Sequence, residues 1–375
     1  MNINRRRMFL DGGMGTMLQK AGFGKTDPME LNLTAPEAVR EIHAAYLAAG
    51  SDIITANSFG AYSHKYLNAA EIAEAAVSNA KFPNALVALD MGPGGRLLKP
   101  LGDLAFDDAF RIFRETALAG ARAGADLILL ETFADLYELK AAVLAASETG
   151  LPIFATMSFN ERGRSLTGAD IKTTAVLLES LGVYALGMNC GFGPDAYAKL
   201  LPELRRATSL PIILQPNAGL PSVDERGEAA YGITPSDYAR LMREMAGDAQ
   251  ILGGCCGTTP EHIAALINAV GREPREVCSG TKTVEIPVGY TPVFCEETDV
   301  DGIIEELLDL DDGEIKFARI ADAEDVIKIQ EIVRVPFGIY SSDPAVLERA
   351  AYLYDGRPLV FGAKINKYGA ICFPG

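Results

Sequence analysis

No stretch of the 375-residue sequence approaches the ~18 to 20 consecutive apolar residues that a membrane span requires. The first ten residues, MNINRRRMFL, carry positive charge but no apolar run of the kind a signal peptide needs, so a cytoplasmic protein is expected. Basic residues are in deficit. Thirty-four Lys and Arg stand against 50 Asp and Glu, a formal net charge of −16, which repels phosphate backbones and anionic lipid surfaces and excludes nucleic acid and membrane as expected partners. Cysteine is sparse too: six residues cannot staple a chain of this length, so a disulfide scaffold is excluded. There is no CxxC pair and no HExxH, which removes zinc ribbons and zincin proteases. What remains is 49% hydrophobic and 22% charged residues with 37 glycines, enough for a large core and unlike a disordered chain or a coiled coil.

Eight short apolar runs recur along the first 270 residues: Met8 to Asp11, Asp52 to Ser58, Leu86 to Met91, Leu127 to Phe133, Pro152 to Phe159, Tyr184 to Cys190, Pro211 to Asn217 and Gln250 to Cys256. Between and after them lie segments with helical spacing, such as Pro36 to Ala49, Asp108 to Ala123, Tyr137 to Ser147, Asp195 to Arg206 and Pro260 to Val270. Several of these open on Pro and close at Gly. Eight strand-helix units in about 270 residues match a (β/α)8 TIM barrel, with a doubly wound open sheet as the runner-up. A barrel carries its chemistry where strands end. Asp11, Asn57, Asp90, Glu131, Cys190, Asn217 and the pair Cys255-Cys256 fall there. Strand ends meet water and are polar for that reason alone, which accounts for Asp90 and Asn217 but not for three cysteines. None of the eight runs ends in lysine, so a Schiff-base aldolase-type barrel is not expected.

Three thiolates from two strand ends can supply three corners of a tetrahedron and leave the fourth open, as in a catalytic zinc site. The flanking glycines allow the sharp turn that a consecutive pair of ligands needs. Cys278, Cys295 and Cys372 are read as small buried apolar residues. His43, His64 and His262 lie in or beside helical segments and are read as packing or surface residues.

After Gly271 the composition changes. Residues 275–375 hold 19 acidic and 10 basic side chains, and from Glu296 to Glu314 there are ten acidic residues and no basic one, read as a solvated helix or linker. Val333 to Ile339, Pro344 to Leu353 and Pro358 to Phe361 read as strand, helix and strand. The expected organisation is thus a barrel over 1–272 and a small acidic α/β C-terminal appendage over 273–375.

Several motifs together resemble the homocysteine S-methyltransferases, above all the homocysteine-binding module of cobalamin-dependent methionine synthases: LDGGMGTMLQ at 10–19, ELNLTAPEAV at 30–39, IITANSFGA at 53–61, GPGGRLLKPLG at 92–102, ETFADLYELKAAVLAA at 131–146, SLTG at 165–168, NCGFGPD at 189–195, PNAG at 216–219 and GGCCGTTPEHI at 253–263. The resemblance covers about the first 272 residues. It implies a zinc-dependent barrel in which Cys190, Cys255 and Cys256 hold Zn2+, and in which the thiol of homocysteine takes the open position and attacks as a thiolate. It also implies that Asp11 and Glu131 hold the substrate ammonium, that backbone N–H groups of the Gly12-Gly13-Met14-Gly15 turn hold its carboxylate, and that Asn57 supports the site.

VPFGIYSSDPAVLERAAYLYDGRPLV at 335–360 is similar to a piece of the pterin-binding barrel that follows this module in methionine synthases, although KINKYGAICFPG departs from it. A full second barrel does not fit in ~100 residues. No histidine-bearing cobalamin loop is found, so the expected donor is a methyl-corrinoid such as methylcobalamin supplied in trans, with a corrinoid protein or a separate folate-binding subunit as partner. Alternatives are a donor of the S-methylmethionine or betaine type, or a zinc- and thiol-binding protein without turnover.

Overall fold

The computed structural model describes residues 6–223, 229–273, 293–309, 315–333 and 335–373. The chain divides into two compact units. Among the described residues ten strands belong to the larger: β1 (Met8–Phe9), β2 (Ile53–Thr55), β3 (Leu86–Met91), β4 (Leu127–Phe133), β5 (Ile153–Met157), β6 (Ala185–Asn189), β7 (Ile212–Gln215), β8 (Pro221–Val223), β9 (Ala229–Tyr231) and β10 (Ile251–Leu252). Eight of them pair in parallel in the order β1-β10-β7-β6-β5-β4-β3-β2. The ring closes through a parallel bridge between Leu10 and Ile53 and an Asp52 N–H donating to the Phe9 carbonyl at 2.8 Å. Closure decides between the two expected architectures: the fold is a (β/α)8 barrel.

Its interior is filled by one residue or two from each strand region, including Leu10, Ile53, Ala88, Leu129, Phe154, Ala185, Ile213 and Ile251, all fully buried. Alternation along each strand sends these inward while their neighbours meet the surrounding helices. Those helices are α1 (Met14–Leu18), α2 (Leu31–Thr34), α3 (Pro36–Ala49), α4 (Ala69–Asn79), α5 (Phe106–Arg122), α6 (Leu136–Ser147), α7 (Ile171–Ser180), α8 (Pro194–Ala207), α9 (Pro235–Met245) and α10 (Pro260–Val270). Local chemistry sets their ends. Helix α3 starts with Pro36 in its first turn and stops at Gly50, whose φ of 105° favours glycine. At α10, Thr259 and His262 form a reciprocal cap, so His262 serves a helix start. His64 bonds to the Gly94 carbonyl at 2.9 Å, and His43 is wholly buried.

The end of the barrel opposite the strand C-termini is tied by Asp52. Its carboxylate accepts from the Phe9 N–H at 2.9 Å and pairs with Arg6 at 3.0 Å and Arg272 at 2.6 Å.

The smaller unit contains a parallel sheet of five strands in sequential order: β11 (Val293–Phe294), β12 (Lys316–Arg319), β13 (Gly338–Tyr340), β14 (Leu359–Phe361) and β15 (Ile371–Phe373). Among the described residues three helices belong to the same unit: α11 (Val300–Leu308), α12 (Asp325–Ile332) and α13 (Pro344–Leu353). The sheet is larger than the strand-helix-strand pattern legible in the sequence. Much of the acidic run forms α11, so of helix and linker it is the helix; Asp299 caps it and it buries Ile303, Ile304 and Leu307, which makes it amphipathic rather than solvated all round. Phe294, Phe317, Phe361 and Phe373 pack edge to face or tilted across the sheet, with ring centroids 4.8 to 5.8 Å apart. Cys295 is buried and Cys372 is half-buried, while Cys278 lies outside the described residues.

Candidate active site

A cavity of about 400 Å3 opens at the C-terminal ends of the barrel strands. It gathers Asp11, Gly12, Gly13, Gly15, Asn57, Glu131, Cys190, Cys255 and Cys256 in one lining, so the structure brings together every site residue expected from the sequence.

The sulfurs of Cys190, Cys255 and Cys256 all lie within 4.8 Å of one another, and Cys255 and Cys256 are 4.0 Å apart. This is the group of metal-ligating side chains found among the described residues, and it could hold a metal ion. The backbone locks it in place. Cys190 N–H donates to the Gln215 carbonyl and Cys255 N–H to the Pro216 carbonyl, each at 3.0 Å, while Ala218 N–H donates to the Cys256 carbonyl at 2.9 Å. Two buried tyrosines reinforce these loops: Tyr197 donates its hydroxyl to the Cys190 carbonyl at 2.8 Å, and Tyr238 donates to the Gly253 carbonyl at 2.7 Å. Hydrogen bonds with Cys190 and Cys255 hold the Cys256 thiol low, while bonds with Cys190 and Cys256, and then burial, push Cys255 well up.

Close backbone approach shapes the opposite wall. A Cβ on Gly12 would come within 2.5 Å of Thr258 Oγ1, so the turn after β1 can pack against the turn after β10 only as glycine. Gly13 N–H is committed to that same Thr258 hydroxyl at 3.1 Å. Helix α1 then starts at Met14 with no side chain capping it, leaving the first-turn N–H groups of Met14, Gly15 and Thr16 without intrahelical acceptors.

Three carboxyl groups complete the lining: Asp11, Asp90 and Glu131. Asp11 accepts from the Thr55 N–H at 2.8 Å and the Thr55 hydroxyl at 2.6 Å, yet burial pushes it up to about 7. Glu131 accepts from Gln215 Nε2 at 3.3 Å, and burial, followed by the neighbouring Cys190 and Asp11 charges, pushes it up to about 8. Asp90 is raised well above the usual carboxylate range by burial and then by the charges of Glu131 and Asp11. Asn57 donates to the Pro28 carbonyl at 2.6 Å and its own carbonyl accepts from Asn32 at 2.7 Å, which fixes the loop after β2.

Sequence reasoning read Asp90 as an ordinary polar strand end and passed over Tyr231. Asp90 lies one residue before the end of β3, a positional signal masked by the general polarity of strand ends. Tyr231 comes from the β8–β9 hairpin, hydrogen-bonds to the Cys256 sulfur, and has no local sequence signature.

The sequence pattern of the homocysteine S-methyltransferase family matches residues 8–270. The chain belongs to the homocysteine S-methyltransferase family. Among curated proteins it is similar to the methionine synthase of Mycobacterium leprae, 33% identical over 301 residues that cover 72% of this chain and 25% of the relative. The methionine synthase of Mycobacterium tuberculosis is also 33% identical, over 309 residues covering 73% and 26%. The chain thus spans about a quarter of the length of the curated relatives it matches. Among solved structures, the metallated form of the homocysteine methyltransferase MmuM from Escherichia coli aligns with a TM-score of 0.58 and 23% identity over 69% of this chain and 95% of that one. Its oxidised form aligns with a TM-score of 0.60 and 23% identity over 70% and 95%, a likeness of fold. Among the described residues of this homocysteine S-methyltransferase family member, no helix is long and apolar enough to cross a membrane.

Proposed function

We propose that this chain methylates the thiol of homocysteine to give methionine. The single observation that carries the reading is the placement of three cysteine sulfurs within 4.8 Å of one another in a cavity that also presents buried carboxyl groups. The donor set fits zinc: tetrahedral Zn–S bonds of ~2.3 Å put sulfurs about 3.8 Å apart, against 4.0 Å between Cys255 and Cys256. When held by Cys190, Cys255 and Cys256, zinc supplies a Lewis acid that favours the ionised form of a fourth sulfur ligand.

The remaining residues bind and orient. Asp11 and Glu131 hold the substrate ammonium, with Thr55 fixing the first carboxyl and Gln215 the second. The uncapped first turn of α1 faces the carboxylate, Met14, Gly15 and Thr16 supplying N–H groups in place of Gly13, which Thr258 occupies. Holding both ends of the amino acid leaves the thiol one reachable direction, toward the three cysteines. Burial removes competing water from that sulfur and strengthens each charge contact. We assign the methyl donor as a methyl-corrinoid supplied in trans.

The deciding experiment incubates the zinc-loaded chain with homocysteine and either methylcobalamin or S-methylmethionine and measures methionine. Methionine from methylcobalamin supports the full reading, and methionine from S-methylmethionine alone replaces the donor. Failure with both, together with retained zinc and homocysteine binding, leaves a binding protein without turnover.

A further inference from the structure

The cavity holds one more carboxyl group than the reading above uses. Asp90 is the last residue but one of β3, is 7% exposed and lines the cavity. Its backbone is fully engaged with Ser58: the Asp90 N–H donates to Ser58 Oγ at 3.1 Å, and the Ser58 hydroxyl donates to the Asp90 carbonyl at 2.9 Å. Its side chain is not so served. Oδ1 is buried with no hydrogen-bond partner, whereas both oxygens of Asp11 accept from Thr55 and one oxygen of Glu131 accepts from Gln215. No described residue lining the cavity is Lys, Arg or His.

A buried acceptor without a donor is costly, and most such atoms in folded proteins have partners. Three carboxyl groups in one poorly hydrated space also repel each other. One cation between them removes both penalties. A primary ammonium brings three N–H donors, one for each carboxyl, and a positive charge that each of them attracts. We propose that Asp90 is the third carboxyl of the ammonium site, and that it makes the cavity select thiols bearing an α-amino group over thiols lacking one. This deepens the homocysteine reading and rests on it.

The test measures binding by calorimetry on the zinc-loaded full chain with two probes, L-homocysteine and 4-sulfanylbutanoate, which differ by the amino group. Asp90→Asn keeps the shape and removes the charge. It weakens homocysteine by at least about tenfold, the loss expected for one charge-assisted hydrogen bond, and changes 4-sulfanylbutanoate by less than about twofold. Unchanged homocysteine affinity overturns the proposal, because Asn mimics a carboxyl that works only when protonated. Equal losses for both probes overturn it too, since they mark a structural role. If circular dichroism shows Asp90→Asn to be unfolded, Asp90→Ser is read against the same two probes. Wild-type protein that binds neither probe overturns the homocysteine reading itself, a result distinct from a silent variant of a protein that binds.

Discussion

Asn189 and Thr132 grip each other across the barrel mouth: Asn189 Nδ2 donates to Thr132 Oγ1 at 2.7 Å, and the Thr132 N–H donates to Asn189 Oδ1, also at 2.7 Å. Each is followed or preceded by a residue of the site, Asn189 by Cys190 and Thr132 by Glu131 in reverse order. Thr132 and Cys190 hold φ values of 63° and 60°, a region that L-residues other than Asn and Asp seldom enter. The amide therefore braces two strained positions and ties the turn that carries Cys190 to the strand end that carries Glu131. Thr156 adds a third bond to Asn189 Oδ1 at 2.9 Å. Asn189→Ala is expected to cost about 2–4 kcal/mol of stability, since three bonds go and their partners stay buried. Urea unfolding measures that loss, and a chelator competition on the same variant shows weaker metal retention.

Acid sensitivity has a local source in α3. His43 is fully buried, neither ring nitrogen has a partner, and burial, followed by the Arg40 charge, holds its pKa down to about 3. The unfolded chain takes up this proton near pH 6.5 and the folded chain does not. Stability from this group is present above that pH and is lost as the pH falls toward 3. Moving from pH 7.5 to 5.0 therefore costs wild type about 2 kcal/mol more than His43→Leu. Equal acid losses in urea melts of the two proteins would remove His43 as the cause.

At the other end of the barrel, Asp52 anchors β1 and the residue pair Arg6 and Arg272. Asp52→Ala leaves the Phe9 N–H without its acceptor and Arg272 with only the Gly50 carbonyl, and is expected to cost about 1–3 kcal/mol. Its distance from the cavity means that homocysteine affinity stays unchanged in the folded fraction. A stable Asp52→Ala protein contradicts the anchoring role.

Binding of the amino acid should weaken in acid first through Glu131, raised to about 8, and then through Asp11, whose free carboxyl burial raises to about 7. A bound ammonium requires the ionised form, so below that pH a proton must first leave, costing up to about tenfold in affinity per pH unit. The ratio of homocysteine to 4-sulfanylbutanoate affinity isolates this effect from thiol ionisation, which the two ligands share. In Asp11→Asn the ratio becomes flatter with pH.

The barrel was legible because its strands are compact apolar runs at regular intervals, and the helix limits Pro36–Ala49, Pro260–Val270 and Pro344–Leu353 coincide with Pro and Gly or polar stops in the sequence. The cysteine cluster was legible because three thiols at strand ends are unusual. Asp90 was not, since one acidic residue at a strand end has an ordinary explanation until its neighbours are known. The C-terminal sheet was underestimated for a different reason: β11 has two residues and β12 carries Lys316 and Arg319, so neither shows an apolar period. The hairpin that brings Tyr231 to Cys256 depends on tertiary contact alone.

The most direct test of the account is metal content and proton release measured on one anaerobically purified sample. The account predicts one zinc per chain, release of a proton near neutral pH when homocysteine is added, and loss of both in Cys255→Ser. Protein without zinc under these conditions, or Cys255→Ser that keeps a full equivalent of metal, would contradict it.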